Sequence, residues 1–166
     1  NLINADILDY EIKDYYQLII SNLPYNISSH ILVKLSTMSK QPDTLILMFQ
    51  KEFANRLLEK KLNSLNSLIR CFYNIKLNFN VSKNCFRPIP KIDSTVLTFE
   101  KKTKSLINKK ETNNFIIFKR KLFSHKRKSL KNLLKNYSLD DKFDLSLRVE
   151  NLDLADLVKL FRFINS

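Results

Sequence analysis

Apolar positions recur with two different periods along this chain, and the change of period divides it in two. Tyr16 to Ile20 is a short, nearly continuous apolar run, the pattern of a strand buried in a parallel sheet. Ile27, Ile31, Leu32 and Leu35 follow at helical spacing, with Ser28 placed to cap the helix they mark. Thr44 to Phe49 repeats the buried-strand pattern. Gln50-Lys51-Glu52 opens a second helix that keeps Phe53, Leu57 and Leu58 inside, and Glu52 and Arg56 stand at the spacing of an i,i+4 ion pair. Leu65, Leu68, Ile69 and Phe72 mark a third, short helix. Ile75 to Val81 then alternates strictly, and Thr95 to Phe99 alternates again after the proline-broken Phe86-Arg87-Pro88-Ile89-Pro90. These two runs read as an antiparallel pair. At the start, Leu2-Ile3 reads as the tail of a strand that delivers Asp6 to its carboxyl end, the zone where open α/β sheets bind ligands.

From Glu100 to Lys110 the chain is charged and aperiodic, so a boundary is expected there, with an α/β unit over 1–100 and a second unit over 101–166. Beyond it every pattern is helical. Phe115, Ile116, Phe118, Leu122 and Phe123 form one stripe, Leu130, Leu133 and Leu134 a second, and Leu154, Leu157, Val158, Phe161 and Ile164 a third. Three amphipathic helices predict a small bundle, with Asn151 capping the last.

Charge separates the two units further. Of a net +13, residues 101–135 alone supply +12, with 13 basic side chains against one acidic. Such a block favours a polyanion, and the interleaved Phe115, Phe118 and Phe123 predict a folded basic surface rather than a disordered tail. Cys71 and Cys85 stand apart without a C-x-x-C, and His30 and His125 are isolated, so the sequence indicates neither a metal site nor a disulfide framework. No apolar run reaches membrane-spanning length, and residues 1–6 resemble no targeting signal, so a reduced, cytoplasmic, monomeric protein is expected. The chain contains 0 glycines, where average usage of about 7% predicts roughly a dozen. No glycine loop of this chain can therefore cradle a phosphate or a nucleotide.

The candidate chemistry lies in Ser21-Asn22-Leu23-Pro24-Tyr25-Asn26, between the first strand and the first helix. The Asn22 side-chain carbonyl can accept a hydrogen bond from an exocyclic amino group. Proline lacks an N–H, so Leu23 and Pro24 present backbone carbonyls without a competing donor, and a second acceptor faces the same amine. Tyr25 offers an aromatic face for a base drawn out of its stack, worth ~1–3 kcal/mol. The same residues are also ordinary turn and cap formers.

Several ordered segments carry a resemblance. Asn22-Leu23-Pro24-Tyr25-Asn26-Ile27-Ser28, Phe49-Gln50-Lys51-Glu52 with Arg56-Leu57, Phe86-Arg87-Pro88-Ile89-Pro90-Lys91-Ile92-Asp93-Ser94, Phe123-Ser124-His125-Lys126-Arg127-Lys128-Ser129-Leu130 and Arg148-Val149-Glu150-Asn151 resemble, in this order, the bacterial small-subunit ribosomal RNA adenine dimethyltransferases. The resemblance covers essentially the whole chain. It implies an α/β fold, namely a Rossmann-like adenosylmethionine-dependent methyltransferase sheet that is N-terminally incomplete, followed by a small all-α helical domain. It implies S-adenosylmethionine as cofactor and small-subunit ribosomal RNA, or the small ribosomal subunit precursor, as partner.

By position it gives Asp6 and Asn22 to the cofactor and makes Asn22, Leu23, Pro24 and Tyr25 the catalytic loop. Phe86 becomes a second aromatic wall, and Lys119, Arg120, Lys126, Arg127, Lys128 and Lys131 contact RNA. Family members begin with a strand, a glycine-rich turn and a ribose-gripping carboxylate, none of which occurs here. The 166 residues alone are accordingly expected to bind adenosylmethionine poorly, to leave RNA unmethylated and to expose an unpaired strand edge prone to aggregation. Two other functions fit the same features: a non-enzymatic RNA-binding or ribosome-assembly factor, and a methyltransferase of large-subunit RNA, whose members more often carry Ile in place of Leu23.

The basic block predicts binding to structured RNA with log K falling linearly against log salt. Replacing Lys126, Arg127 and Lys128 together by Gln is expected to make that slope shallower, as read by anisotropy titrations at several salt concentrations. Equal slopes for the two proteins would place the RNA surface elsewhere.

Overall fold

Two apolar runs lie side by side at the start of the sheet, joined by a helix that crosses one face. In the computed structural model, which describes residues 2–135, 137 and 143–165, β1 (Leu18–Asn22) pairs in parallel with β2 (Thr44–Gln50). Helix α1 (Ser28–Thr37) makes the crossover. After β2 come α2 (Lys51–Leu58) and α3 (Ser64–Phe72), then β3 (Tyr73–Val81) and β4 (Ser94–Lys101). β4 inserts antiparallel between β2 and β3, giving the order β1-β2-β4-β3. The helical part comprises α4 (Lys109–Phe123), the single turn α5 (Leu130–Leu133) and α6 (Leu154–Ile164).

Strand alternation decides what each sheet face does. Leu45, Leu47 and Phe49 of β2 and Leu97 and Phe99 of β4 are fully buried on one face, against Ile31, Leu32, Leu35, Leu57, Leu68, Ile69 and Phe72 of the helices. On the other face the register aligns Ile20 with Ile46, and Asn22 with Met48, Val96 and Phe79 in one row across all four strands. That face is open: Ile20 is 68% exposed and Phe79 58%. Val96 is buried yet stands apart from the main core. The free edge of β1 lies beside this face.

The core runs on without a break into the helical part. Phe115 meets Phe161 edge-to-face at 5.2 Å, and Phe118 lies 5.5 Å from the same ring. These rings, with Ile107, Leu122, Leu130, Val149, Leu157 and Leu160, belong to the same buried cluster as the sheet. Polar clasps hold the parts in register. Arg162 of α6 grips Glu111 of α4 at 2.7 and 3.1 Å and the Leu106 carbonyl at 2.8 Å. The Arg162 guanidinium holds the Glu111 carboxyl below its usual range. Glu111 also closes a capping box with Asn108, so α4 starts well before its apolar stripe.

Several local expectations fail for identifiable reasons. Leu2 and Ile3 form no strand, because no described segment lies alongside to pair with them. Ser28 is the first residue of α1 and not its cap; its hydroxyl donates to the Tyr25 carbonyl at 3.1 Å. Asn151 belongs to a 3₁₀ turn, and α6 is preceded by Asp153. Glu52 and Arg56 form no ion pair, since both side chains point to solvent, where such a pair is worth only ~0.3–0.5 kcal/mol. The stripe around Leu130 amounts to one turn, α5.

Lys119 departs furthest from expectation. It is 5% exposed, and its ammonium donates to the carbonyl and hydroxyl of Ser64, at the start of α3, at 2.5 and 3.1 Å. Burial, with a smaller push from Arg120, brings its pKa down to about 8 from 10.5. Between those two values the unfolded chain binds more protons than the folded one, so this lysine makes stability rise with pH across that window. Below pH 8 the cost of burying the charge is present in full. Lys119→Met is therefore expected to stabilise the fold by about 1–3 kcal/mol at pH 7, and its advantage should vanish as pH approaches 10.5. Urea unfolding of both proteins at neutral and alkaline pH measures this. An advantage independent of pH would show that the ammonium is not desolvated.

Candidate active site and nucleic-acid interface

The loop after β1 is built from four residues with separate tasks. Asn22 ends the strand on the open sheet face with its side chain exposed. Leu23, 4% exposed, plugs into the core and anchors the loop. The Pro24 carbonyl accepts from the Ile27 N–H at 3.2 Å, which turns the chain into α1. That bond settles which carbonyl stays available: no described group donates to Leu23, so its oxygen is the free backbone acceptor beside Asn22.

Tyr25 is pinned. Its hydroxyl lies 2.7 Å from the hydroxyl of Ser94, the first residue of β4, which is completely buried. The ring itself stays half-exposed. The next residue back, Asp93, ties three elements together. Its carbonyl accepts from Lys51 N–H, opening α2, at 3.0 Å, and its Oδ1 accepts from Lys83 N–H at 3.0 Å. Residues 82–93 thus form a loop closed at its base beside Ser94. Phe86 sits half-buried in that loop, with Arg87 wrapped over the Asn84 and Phe86 carbonyls at 3.2 and 2.9 Å. No hydrogen bond joins the Phe86 segment to Tyr25. Ser94 had no role in the sequence reading; the signal for it was a small hydroxyl residue opening a strand beside an aromatic loop.

Asp6 stands apart. Its Oδ1 accepts from Leu8 N–H at 2.8 Å, and its carbonyl accepts from Asp9 and Tyr10 N–H groups at 3.1 and 2.8 Å. This self-capped turn is held to α1 by Lys34, whose ammonium donates to the Leu8 carbonyl at 2.6 Å. No hydrogen bond joins Asp6 to residues 22–25. Its second carboxylate oxygen stays available.

The basic residues fall into two groups. Lys126, Arg127 and Lys128 occupy the turn after α4, and with Lys131 all four are exposed and form no ion pair among the described residues. The turn is shaped by Ser124 donating to the Lys121 carbonyl at 2.8 Å and Lys128 N–H donating to His125 at 2.9 Å. Lys119 and Arg120 face another way, towards α1 and α2, where Lys119 is spent on Ser64 and Arg120 is exposed. Cys71 is inert here: it donates to the Ser67 carbonyl at 3.2 Å, and burial pushes its thiol up to about 12.

The Tyr25–Ser94 contact predicts a particular mutational pattern. Tyr25→Phe leaves the buried Ser94 hydroxyl without its partner and is expected to cost about 1–2 kcal/mol in unfolding free energy. Adding Ser94→Ala removes the orphan, so the double variant should recover most of that loss. A double-mutant cycle by denaturant unfolding checks it, and strictly additive losses would show that the hydroxyls are not coupled.

A family model for ribosomal RNA adenine dimethylases matches residues 1–165. The ribosomal RNA small subunit methyltransferase A of Malacoplasma penetrans is 41% identical over 145 residues, covering 82% of this chain and 52% of that protein. The protein of the same name from Hydrogenobaculum is 35% identical over 167 residues, covering 99% and 64%. The chain thus spans between about half and two thirds of the length of these relatives. A dimethyladenosine transferase from Plasmodium falciparum superposes with a TM-score of 0.82 at 25% identity, covering 98% of this chain and 71% of that one. The 23S rRNA methyltransferase ErmE shares the fold, with a TM-score of 0.67 at 17% identity over 99% and 71%. The four-stranded mixed sheet is thus Rossmann-like, as in these methyltransferases, and a helical part follows it. An acceptor-lined loop at a strand's end, an aromatic ring fixed beside it and a family match over nearly every residue lead to one assignment: the chain belongs to the ribosomal RNA adenine dimethylase family.

Proposed function

We propose that this protein takes part in methyl transfer from S-adenosylmethionine to N6 of adenosines in small-subunit ribosomal RNA, two methyls per base on two adjacent adenosines near the 3′ end. In this reading residues 1–100 carry the chemistry, and the basic helical residues 101–166 position the RNA. The observation that carries it is the free Leu23 carbonyl next to the exposed Asn22 side chain, one residue from a tyrosine ring held by Ser94. The curated relatives with the higher identities bear small-subunit names, which favours that RNA over the large-subunit alternative.

Bound adenosylmethionine supplies an electrophilic methyl on a sulfonium. Everything else asked of the protein concerns the amine. The adenine amino nitrogen is a poor nucleophile, because its lone pair is delocalised into the ring. Asn22 Oδ1 and the Leu23 carbonyl can accept hydrogen bonds from its two N–H groups and hold it pyramidal, which returns the lone pair to nitrogen. The nitrogen lone pair would form the new C–N bond as the methyl C–S bond breaks, its electron pair staying on sulfur to leave a neutral thioether. The methylated nitrogen would then release a proton to water, so no strong base is required. Positioning supplies most of the rate. Tyr25 holds the extruded base by its face, and Phe86, in the loop closed beside Ser94, is the candidate for the opposite wall.

The residues present fit this cofactor at two places. Asp6, with one carboxylate oxygen free, suits the adenine amino group, and Asn22 suits the reacting end. Between them the chain offers no glycine cradle. These contacts alone are therefore proposed to hold adenosylmethionine weakly.

Asn22→Ala removes an acceptor needed chiefly as the amine reacts. Turnover is expected to fall by ~10²-fold or more, with RNA affinity unchanged. Methyl transfer from labelled adenosylmethionine to small-subunit particles, measured on the full product of the gene, tests this. Normal turnover in the variant would reduce the loop to a turn. RNA binding without methyl transfer in the unmutated protein would favour an RNA-binding assembly factor.

A further inference from the structure

Tyr25 and Phe86 serve the proposed base site as its two walls, yet no hydrogen bond joins their segments. Each is held instead by one member of the dipeptide Asp93-Ser94, where the loop over residues 82–93 returns to the sheet. Ser94 is completely buried and paired with Gln50 of β2 and Val81 of β3, so the sheet sets its place. The Asp93 carbonyl accepts from the Lys51 N–H at 3.0 Å, which fixes the dipeptide against the start of α2.

The Ser94 hydroxyl, 2.7 Å from the Tyr25 hydroxyl, holds the first ring. Phe86 is reached from Asp93 across the single 3₁₀ turn Lys83–Cys85. Asp93 Oδ1 accepts from the Lys83 N–H at 3.0 Å, and the Lys83 carbonyl accepts from the Phe86 N–H at 3.2 Å. Every other hydrogen bond of that turn among the described residues stays within the loop. Ser82 accepts from the Cys85 and Asn84 N–H groups at 3.0 and 3.3 Å, and Arg87 donates to the Asn84 and Phe86 carbonyls. Those bonds shape the turn without placing it. Only the bond to Asp93 Oδ1 carries it to the returning chain.

We propose that Asp93 is a positioning residue for methyl transfer, its carboxylate setting how far Phe86 stands from Tyr25 and hence how the extruded adenine is clamped. The proposal rests on the reading of Tyr25 and Phe86 as the two walls. In it Asp93 touches neither base nor cofactor. A base clamped between two rings meets the methyl in line only if the gap fits it, and a misplacement of ~1 Å costs about 10²-fold in rate. Phosphate contacts supply most of the RNA affinity, so the loss falls on kcat.

The test measures kcat and KM for methyl transfer to small-subunit particles, together with RNA affinity, on the full product of the gene. Asp93→Ala removes the acceptor and keeps the backbone carbonyl that Lys51 uses, whereas Asp93→Asn keeps an oxygen acceptor in the same place. The alanine variant should lose ~10–10²-fold in kcat at unchanged RNA affinity, and the asparagine variant should recover it. Because Asp93 acts only through the wall, adding Asp93→Ala to Phe86→Ala should cost nothing more. Should the alanine variant fail to fold by circular dichroism, Asp93→Glu, whose acceptor sits one methylene farther out, is expected to show the same selective loss. If Phe86→Ala loses turnover while the Asp93 variant keeps it, the positioning role is overturned and the walls stand. Losses that multiply in the double variant overturn it too, as does a loss that asparagine leaves unrecovered or a weaker RNA affinity at normal kcat. Normal turnover in Phe86→Ala removes the wall reading itself and the proposal with it, so the two failures are told apart.

Discussion

Helix α3 is buried on almost every side, and the placement of both halves of the molecule depends on that. Of its nine residues, Asn66, Ser67, Leu68, Ile69, Cys71 and Phe72 are all inaccessible. A helix with so little solvent face has to satisfy its polar groups internally. Asn63 and Asn66 do so at its start through a reciprocal capping box, and the Asn66 amide also reaches the Lys61 carbonyl at 2.9 Å. At its far end Cys71 and Phe72 offer carbonyls to Leu106 and Lys102 N–H groups at 2.9 and 2.8 Å. The chain leaving β4 is therefore laid against the end of α3 before α4 begins. The sheet packs on one side of the helix and α4 and α6 on the other, which is why one core serves both.

This arrangement determines what the loop after β1 can reach. The register of β1 with β2 puts Asn22 on the open sheet face, while Tyr25, only three residues later, lines the groove in front of α4. The loop accordingly stands between two open regions. Leu23 makes that possible by sinking into the core, since a loop that floated could not keep one residue on each side. Ser94 completes the constraint, because it fixes the ring to β4, the strand at the sheet's centre alongside β2.

Most of the sheet was legible from the sequence. The apolar run of β2 reflects its burial on one face, and alternation marks β3 and β4. By contrast β1, expected as a buried strand over Tyr16 to Ile20, spans Leu18–Asn22 and has no buried residue, since it lies at the edge of the sheet. Even the antiparallel pairing of β3 with β4 follows from the proline-stiffened connection. Caps were harder to read. Ser28 and Asn151 are the right residue types one or two positions from the helix ends, and only backbone geometry decides which residue holds the cap. Asn63 and Asn66, which had no role in the sequence reading, form the capping box of the most buried helix. Tyr25 was legible as an aromatic that follows a proline at a strand's end. Its partner Ser94, 69 residues away, was not, because a hydrogen bond between distant hydroxyls leaves no periodicity.

Charge was legible as a total and misleading in detail. The basic block reads as one surface because its residues are contiguous in sequence, yet a helix distributes neighbours around its axis. Lys119 and Arg120 are adjacent, and α4 directs the first inward to Ser64 and leaves the second to solvent. Burial loosens the proton of that ammonium, and Arg120 beside it adds a smaller push in the same direction. Carboxylates that might have neutralised the block are engaged elsewhere, Glu111 with Arg162 and Asp156 with Lys159. Glu111 thereby ties α4 to α6, Asp156 pairs within α6, and Lys126, Arg127, Lys128 and Lys131 have no ion pair among the described residues. A surface that keeps its charge in this way carries self-repulsion, which salt screens and which a bound polyanion would neutralise locally.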